Sequence, residues 1–400
     1  MLHRRKLLAV AAGGLAAPWV ARAAAMPGVT KTSIKIGQTI PYSGPASAYG
    51  VMGRAQSAFF KMLNATGGIG GRTIEFLSVD DGYSPPRTVE ETRRLIESED
   101  VACLFGSLGT ACQTAVRQYL NARKVPQLFV NTGADKWADP EHFPWTMGFF
   151  PSYRTEAQVF AKHMQRNATS AKLAILYQND DFGRDYVAGV RDVLGPQYDK
   201  TVIRTASYEV TDPTVDSQIV DLQASGADML LTAATAKPAA QAIRKIAEIG
   251  WHPLHYLSYV STAPAVVLIP AGAENARGII GAVFLKVAAD PQWADDAGLA
   301  TWRALAEKWL PGENLNDLHT SGYAMALALK QVLEQCGDDL SRENIMRQAG
   351  NLHDLEIPVL LPGIKVNTSP ANFHPIRQMQ LARWTGTSWE RFGDVLEGTA

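Results

Sequence analysis

Short apolar strand segments alternate with amphipathic helical ones from Ile34 to Val260, and that alternation confines the chain to an α/β fold built on parallel sheets. The first unit sets the pattern. Ile34 and Ile36 share one face of a strand, and Pro41 breaks it into a loop of small and hydroxylated residues: Tyr42, Ser43, Gly44, Ser47 and Tyr49. Ala55, Ala58, Phe59, Met62 and Leu63 then recur at helical spacing and make one apolar face. In an open α/β sheet, the loop beyond the carboxyl end of a strand is where ligands bind. Proline and glycine also build ordinary turns, so this loop alone decides nothing.

The following units repeat the order. Thr73–Val79 reads as a strand ending in Asp80-Asp81, and Val89, Thr92, Arg93 and Ile96 follow at helical spacing. Val101–Phe105 is a continuous apolar run, as expected of a strand covered on both faces, and it ends in Gly106-Ser107-Leu108-Gly109-Thr110. Val125–Val130 is the next strand, ending in Asn131-Thr132-Gly133-Ala134. The aromatic stretch Pro144–Pro151 then reads as a crossing between lobes. After it the pattern restarts, with strands at Lys172–Tyr177, Val202–Tyr208, Asp228–Ala234 and Tyr256–Val260 and helices between them. Gly278–Leu285 is strand-like. Helices near Trp293–Trp309 and Asp317–Cys336 have no sheet of their own and are assigned to the first lobe. The tail, with a helix and short strands near Ile364, Gln378–Trp384 and Trp389–Phe392, is assigned to the second. The expected division is 1–25 as a leader, 30–148 with 277–340 as lobe 1, and 149–276 with 341–395 as lobe 2. Two similar lobes crossed several times by one chain imply a hinge and a cleft.

The chain has 400 residues, 46% of them hydrophobic, enough for two cored domains. Its formal charge of −1 offers no basic field to nucleic acid. Arg4, Arg5 and Lys6 precede a short apolar run, Leu7–Val20, and small residues at Ala21-Arg22-Ala23 and Ala23-Ala24-Ala25 offer cleavage sites. That is an export signal, Tat or Sec, and it implies a periplasmic mature protein. Cleavage removes four of the 38 basic residues and leaves 34 against 39 acidic ones, a formal charge of about −5. Cys103, Cys112 and Cys336 form no paired motif; Cys103 and Cys112 are read as buried free thiols, and their spacing leaves a bridge open.

Catalytic signatures are missing. The sequence holds no G-x-S-x-G, no H-E-x-x-H and no P-loop, and Gly67–Gly71 follows a helix, as a helix stop does. Pro253 between His252 and His255 disfavours a helical metal pair. Asp80-Asp81 and Asp180-Asp181 follow strands, where carboxylates cap the next turn. The expectation is a binding protein without catalytic residues, metal or cofactor.

Five stretches taken together carry a family resemblance: P-Y-S-G-P-A-S-A-Y-G (Pro41–Gly50), G-G-I-G-G-R (Gly67–Arg72), D-D-G-Y-S-P (Asp80–Pro85), G-S-L-G-T (Gly106–Thr110) and N-D-D-F-G (Asn179–Gly183). The chain resembles the type I periplasmic solute-binding proteins of the Leu/Ile/Val-binding family. The resemblance implies two Rossmann-like lobes joined by three crossovers, closure over a small solute, and docking as a monomer on an inner-membrane ABC permease.

It also implies a site. Tyr49, Thr110, Thr132 and the backbones of Leu108 and Ala134 take the positions that grip the ligand carboxylate, using hydroxyls and helix-start N–H groups. Thr110 also fits a helix cap. Tyr42, Ser43, Gly109, Gly133, Phe150, Thr235, Tyr153 and Val260 complete the candidate set. In the family, acidic side chains of lobe 2 hold the ligand ammonium, and Tyr153 and Val260 stand at those positions here. An ammonium without an anion would be costly to bury. The expected guest is therefore a carboxylate without an α-ammonium, of the aromatic hydroxybenzoate or cinnamate type that a subgroup of the family takes up, with rings to stack on it. A branched-chain or other amino acid, and a sensing role in place of transport, are the alternatives. Arg154, just after the crossover, is read as a surface residue or a partner for a second anion on the ligand.

Overall fold

In a computed structural model, residues 26–167 and 171–397 are described; the expected leader lies outside them. Twelve strands make two sheets. The first carries β1 (Ser33–Ile40), β2 (Thr73–Asp80), β3 (Cys103–Phe105), β4 (Gln127–Val130) and β5 (Thr146–Gly148), all parallel, in the order β2-β1-β3-β4-β5. The second carries β6 (Leu173–Gln178), β7 (Val202–Tyr208), β8 (Met229–Ala233), β9 (Leu254–Leu257), β10 (Ile280–Val283), β11 (Gln378–Trp384) and β12 (Trp389–Glu397), in the order β12-β11-β10-β9-β8-β6-β7. Its first five strands in sequence repeat the order of the first sheet. Each sheet reverses its winding at one point, between β1 and β3 and between β6 and β8. Loops part there and leave a crevice.

Helices cover the sheets. They are α1 (Val51–Ala65), α2 (Pro85–Glu97), α3 (Thr110–Ala122), α4 (Tyr153–Asn167), α5 (Asp181–Leu194), the single turn α6 (Tyr198–Thr201), α7 (Asp216–Ala224), α8 (Ala236–Glu248), α9 (Ala297–Trp309), α10 (Asp317–Cys336) and α11 (Arg342–Ala349). The expected apolar stripe of α1 is buried, and Phe59 and Phe60 pack edge-on against Tyr323, Phe76 and Phe105. Such rings bury large areas and help hold α1 between its sheet and α10.

Four features differ from the sequence reading. Thr146–Gly148, inside the aromatic stretch, pairs with β4 as a fifth strand before the chain crosses. The second sheet is mixed, because β11 runs antiparallel to both β10 and β12. No strand forms at Ile364. The lobe boundaries also move: β10 belongs to the second sheet, and α11 packs on α10 in lobe 1, where Arg342 donates to the Val101 and Ala102 carbonyls at 2.7 and 3.1 Å. All three cysteines are free and buried.

The chain passes between lobes near Phe149–Ser152, after Val283, and again between α11 and β11. The second and third passages run side by side, with Leu361 N–H donating to the Phe284 carbonyl and Lys286 N–H to the Val359 carbonyl, each at 2.9 Å. The second and third straps pair antiparallel at Leu285 and Leu360, and crossovers of this kind are where lobes hinge.

Candidate ligand-binding cleft

The two crevices face each other and enclose a cavity of about 110 Å³, measured as the space open to the centre of a water-sized sphere. One water needs roughly 10–15 Å³ on that measure, so the space suits a small solute. Of the expected site residues, Tyr49, Leu108, Gly109, Thr110, Phe150, Tyr153, Thr235 and Val260 line it. They come from the loops after β1, β3 and β8, from the first crossover and from the turn after β9. Strand order thus gathers residues far apart in sequence.

Five expected residues stand elsewhere. Asp80 accepts from the N–H groups of Tyr42 and Ser43 at 2.8 and 3.1 Å and from the Ser43 hydroxyl at 2.5 Å, and the Tyr42 hydroxyl meets Ser78 at 2.6 Å. Those bonds pin the loop to the end of β2 and leave Tyr42 and Ser43 off the cavity wall. Thr132, Gly133 and Ala134 lie one layer behind it. Thr132 Oγ1 sits 2.7 Å from Thr110 Oγ1 and accepts from Ala134 N–H at 3.1 Å.

The expected backbone donors are also partly committed. Leu108 N–H donates to the Thr39 carbonyl at 3.0 Å, and the Leu108 carbonyl accepts from Gln113 at 3.1 Å. Among the described residues, no acceptor meets the N–H groups of Thr110 and Ala111 in the first turn of α3. These, with the Thr110 hydroxyl and the positive end of the α3 dipole, make a neutral anion seat. Gly109, at φ 106°, supplies the turn that aims them, and the Tyr83 ring lies where its Cβ would be. Tyr83 itself is at φ 57°, an uncommon conformation for a tyrosine, and its ring lines the cavity.

Tyr49 ties the lobes together. Its hydroxyl accepts from Ala236 N–H, at the start of α8, at 2.9 Å and donates to the Val260 carbonyl at 3.1 Å. On another rim, Lys136 Nζ lies 2.8 Å from Asp181 Oδ2, and Asp135 N–H donates to Asp185 Oδ2 at 2.8 Å. Burial pushes the Asp185 carboxyl up to about 7. Asp80 and Asp81 serve their own turns, and Asp180 caps α5 through Gly183 N–H at 3.3 Å. Arg154 forms a two-pronged pair with Asp192 at 2.6 and 2.9 Å and stays clear of the cavity.

Sequence reasoning missed several wall residues. Tyr259, Phe182 and Trp389 add rings, and Asp317 and Ser321 enter from the start of α10. Of these only Phe182 stood inside a stretch that carries the resemblance, as did Tyr83, which was also missed. Behind Tyr259 lies Glu156, fully buried on α4, which accepts from Tyr259 N–H at 3.0 Å and from the Tyr186 hydroxyl. Burial pushes its carboxyl up to about 8. A carboxyl raised from an ordinary 4.5 keeps its proton in the folded state where the unfolded chain has lost it. Its contribution to stability is therefore full below about pH 4.5 and is lost as the pH rises through 8, by at most about 1.4 kcal/mol per pH unit. Glu156→Gln keeps an acceptor for Tyr259 and removes the titration. Thermal melts at pH 5, 7 and 9 are expected to show a shallower fall for the variant than for the native protein; equal slopes would place the titration elsewhere.

The periplasmic binding protein family matches residues 33–388. A curated relative, the Leu/Ile/Val-binding protein homolog 7 of Brucella abortus, is 25% identical over 229 residues, 55% of this chain and 57% of its own. The chain thus spans little more than half the length of the curated relatives it matches. A substrate-binding periplasmic protein from Ralstonia solanacearum superposes with a TM-score of 0.81 at 21% identity, covering 90% of this chain and 100% of that one. A branched-chain amino acid ABC transporter protein from Thermus thermophilus, solved with bound valine, gives 0.82 at 14% identity, covering 92% and 98%.

These likenesses overturn the expected guest. The names carried by the relatives speak of branched-chain amino acids, not of an aromatic acid lacking an α-ammonium. The expectation rested on the absence of an acid at Tyr153 and Val260; the wall does carry a carboxylate, Asp317, from a helix of lobe 1. With its profile matched along residues 33–388 and its two lobes closed on one cavity, the chain belongs to the periplasmic binding protein family, in the type I fold, whose members bind solutes and do not transform them.

Proposed function

We propose that the protein is the solute-binding component of an ABC importer and closes over a branched-chain amino acid: leucine, isoleucine or valine. It reaches the periplasm by the basic, apolar leader at 1–25, acts as a monomer, and presents its closed form to an inner-membrane permease. The cavity supports this reading most directly. A neutral seat of Thr110 and two N–H groups suits a carboxylate, and Leu108, Phe150, Phe182 and Val260 offer an apolar lining for a branched side chain. The names of the Brucella and Thermus proteins supply the ligand class.

Side-chain burial sets the expected selectivity. Each methylene withdrawn from water contributes about 0.8 kcal/mol, so alanine should bind roughly fifteenfold more weakly than valine. Calorimetric titration of the mature protein against leucine, isoleucine, valine, alanine and benzoate tests this. One-to-one binding of the branched amino acids, alanine weaker and benzoate silent, is expected. Binding of benzoate alone would defeat the reading.

A further inference from the structure

Among the described residues that line the cavity, Asp317 is the only one that carries a formal charge. It opens α10 and is partly buried. One oxygen, Oδ1, accepts from Ala288 N–H at 3.3 Å, and the other has no donor among the described residues. No lysine or arginine of the described residues lies within ion-pair distance, and the acid it feels most is another, Asp290. Burial pushes the carboxyl up to about 6. A half-buried carboxylate on the cavity wall with no cation beside it is an uncompensated charge, and its burial costs free energy until a positive group arrives.

The neighbouring geometry suits a primary ammonium. Ser321 stands four residues along, on the same face of α10, and also lines the cavity. An ammonium has three hydrogens to donate and no acceptor, so a carboxylate oxygen beside a hydroxyl answers two of them. The anion seat on α3 is built wholly of neutral donors. The wall therefore carries a single negative charge and nothing to repel a cation.

We propose that Asp317 receives the positively charged nitrogen of the guest, with Ser321 beside it, and that this pair selects solutes bearing an ammonium over isosteres without one. The assignment rests on the transport reading for its guest, but not for its chemistry. The ammonium is either the α-ammonium of a branched-chain amino acid or the side-chain ammonium of a dibasic one. The carboxylate enters from lobe 1, so the site can take an amine although Tyr153 and Val260 of lobe 2 carry no charge.

The test compares leucine with 4-methylpentanoate, its analogue without the amine, and with ornithine, on native protein and on Asp317→Asn. Asparagine keeps an oxygen for Ala288 N–H, so the melting temperature of the ligand-free variant should stay close to native. Native protein should prefer leucine or ornithine over 4-methylpentanoate by at least thirtyfold. In the variant the preferred amine should weaken by that factor, while 4-methylpentanoate changes by less than threefold. Leucine as the preferred amine identifies the α-ammonium; ornithine identifies the side-chain one and overturns the branched-chain reading while leaving this inference standing. If Asp317→Asn keeps the native preference for the amine, the inference falls and the branched-chain reading survives. If native protein binds 4-methylpentanoate as tightly as either amine, the inference also falls.

Discussion

Tyr49→Phe is expected to weaken leucine binding by roughly ten- to a hundredfold while leaving the ligand-free protein almost as stable as the native one. The hydroxyl belongs to the loop after β1, and both of its partners, Ala236 N–H and the Val260 carbonyl, belong to lobe 2. Its two hydrogen bonds therefore exist only when the lobes meet. Removing the oxygen leaves the first N–H of α8 and a carbonyl unpaired in the closed cleft. Each such group costs about 1–3 kcal/mol when it cannot reach water. In the open form water replaces the missing hydroxyl, so the penalty falls on closure and appears as lost affinity. Titration calorimetry with leucine, beside a denaturant melt without it, separates the two. Native affinity in the variant would mean that the lobes do not meet through Tyr49 when ligand is bound.

Gly133→Ala should have the second large effect. A methyl group at this position would overlap the Tyr259 hydroxyl and the Pro151 carbonyl and would sit 2.9 Å from the Tyr153 ring. Those atoms belong to the first crossover and to lobe 2, whereas Gly133 follows the last long strand of lobe 1. Tyr259 cannot simply swing aside, because its hydroxyl donates to the Pro151 carbonyl at 2.9 Å and its N–H is held by Glu156. Overpacking of this kind typically costs about 1–3 kcal/mol. Here the cost is concentrated on the closed arrangement, so leucine affinity should fall by roughly a hundredfold, with a smaller loss in a ligand-free urea melt. A variant that binds normally would show that the Tyr259 turn rearranges freely.

Local periodicity revealed most of the element order. The strands from β1 to β4 and β6 to β9, and the long helices, follow from alternation and helical spacing, because each buries one face against its own neighbours in sequence. The loop after β1 was legible as a candidate ligand loop because an α/β sheet places its ligand beyond the carboxyl ends of its strands, whereas the candidates in the loops after β3 and β8 came from the family resemblance. What stayed hidden depends on distant pairing. Thr146–Gly148 is a strand only because β4 offers it an edge, and its aromatic flanks mask the pattern. The antiparallel pair β11 and β12 returns from the far end of the chain to flank β10, and no local signal assigns β10 to either sheet. Asp317 looked like the ordinary acidic start of a long helix. Its place in the wall follows from α10 packing on α1 beside the crossovers, which spacing cannot show. Tyr42 and Ser43 went the other way: in a promising loop, the Ser43 hydroxyl was already engaged by Asp80 and the Tyr42 hydroxyl by Ser78.

Closure of two lobes over the proposed ligand has a direct physical signature. Small-angle X-ray scattering of the mature protein, first without ligand and then with leucine at a concentration just sufficient to saturate it, reads it as a change in radius of gyration, with Gly133→Ala as a reference whose closure is weakened. A smaller radius on adding leucine to the native protein, at unchanged molecular mass, and little contraction in Gly133→Ala at that same leucine concentration, is the expected result. Identical native curves with and without saturating leucine would contradict closure over that ligand.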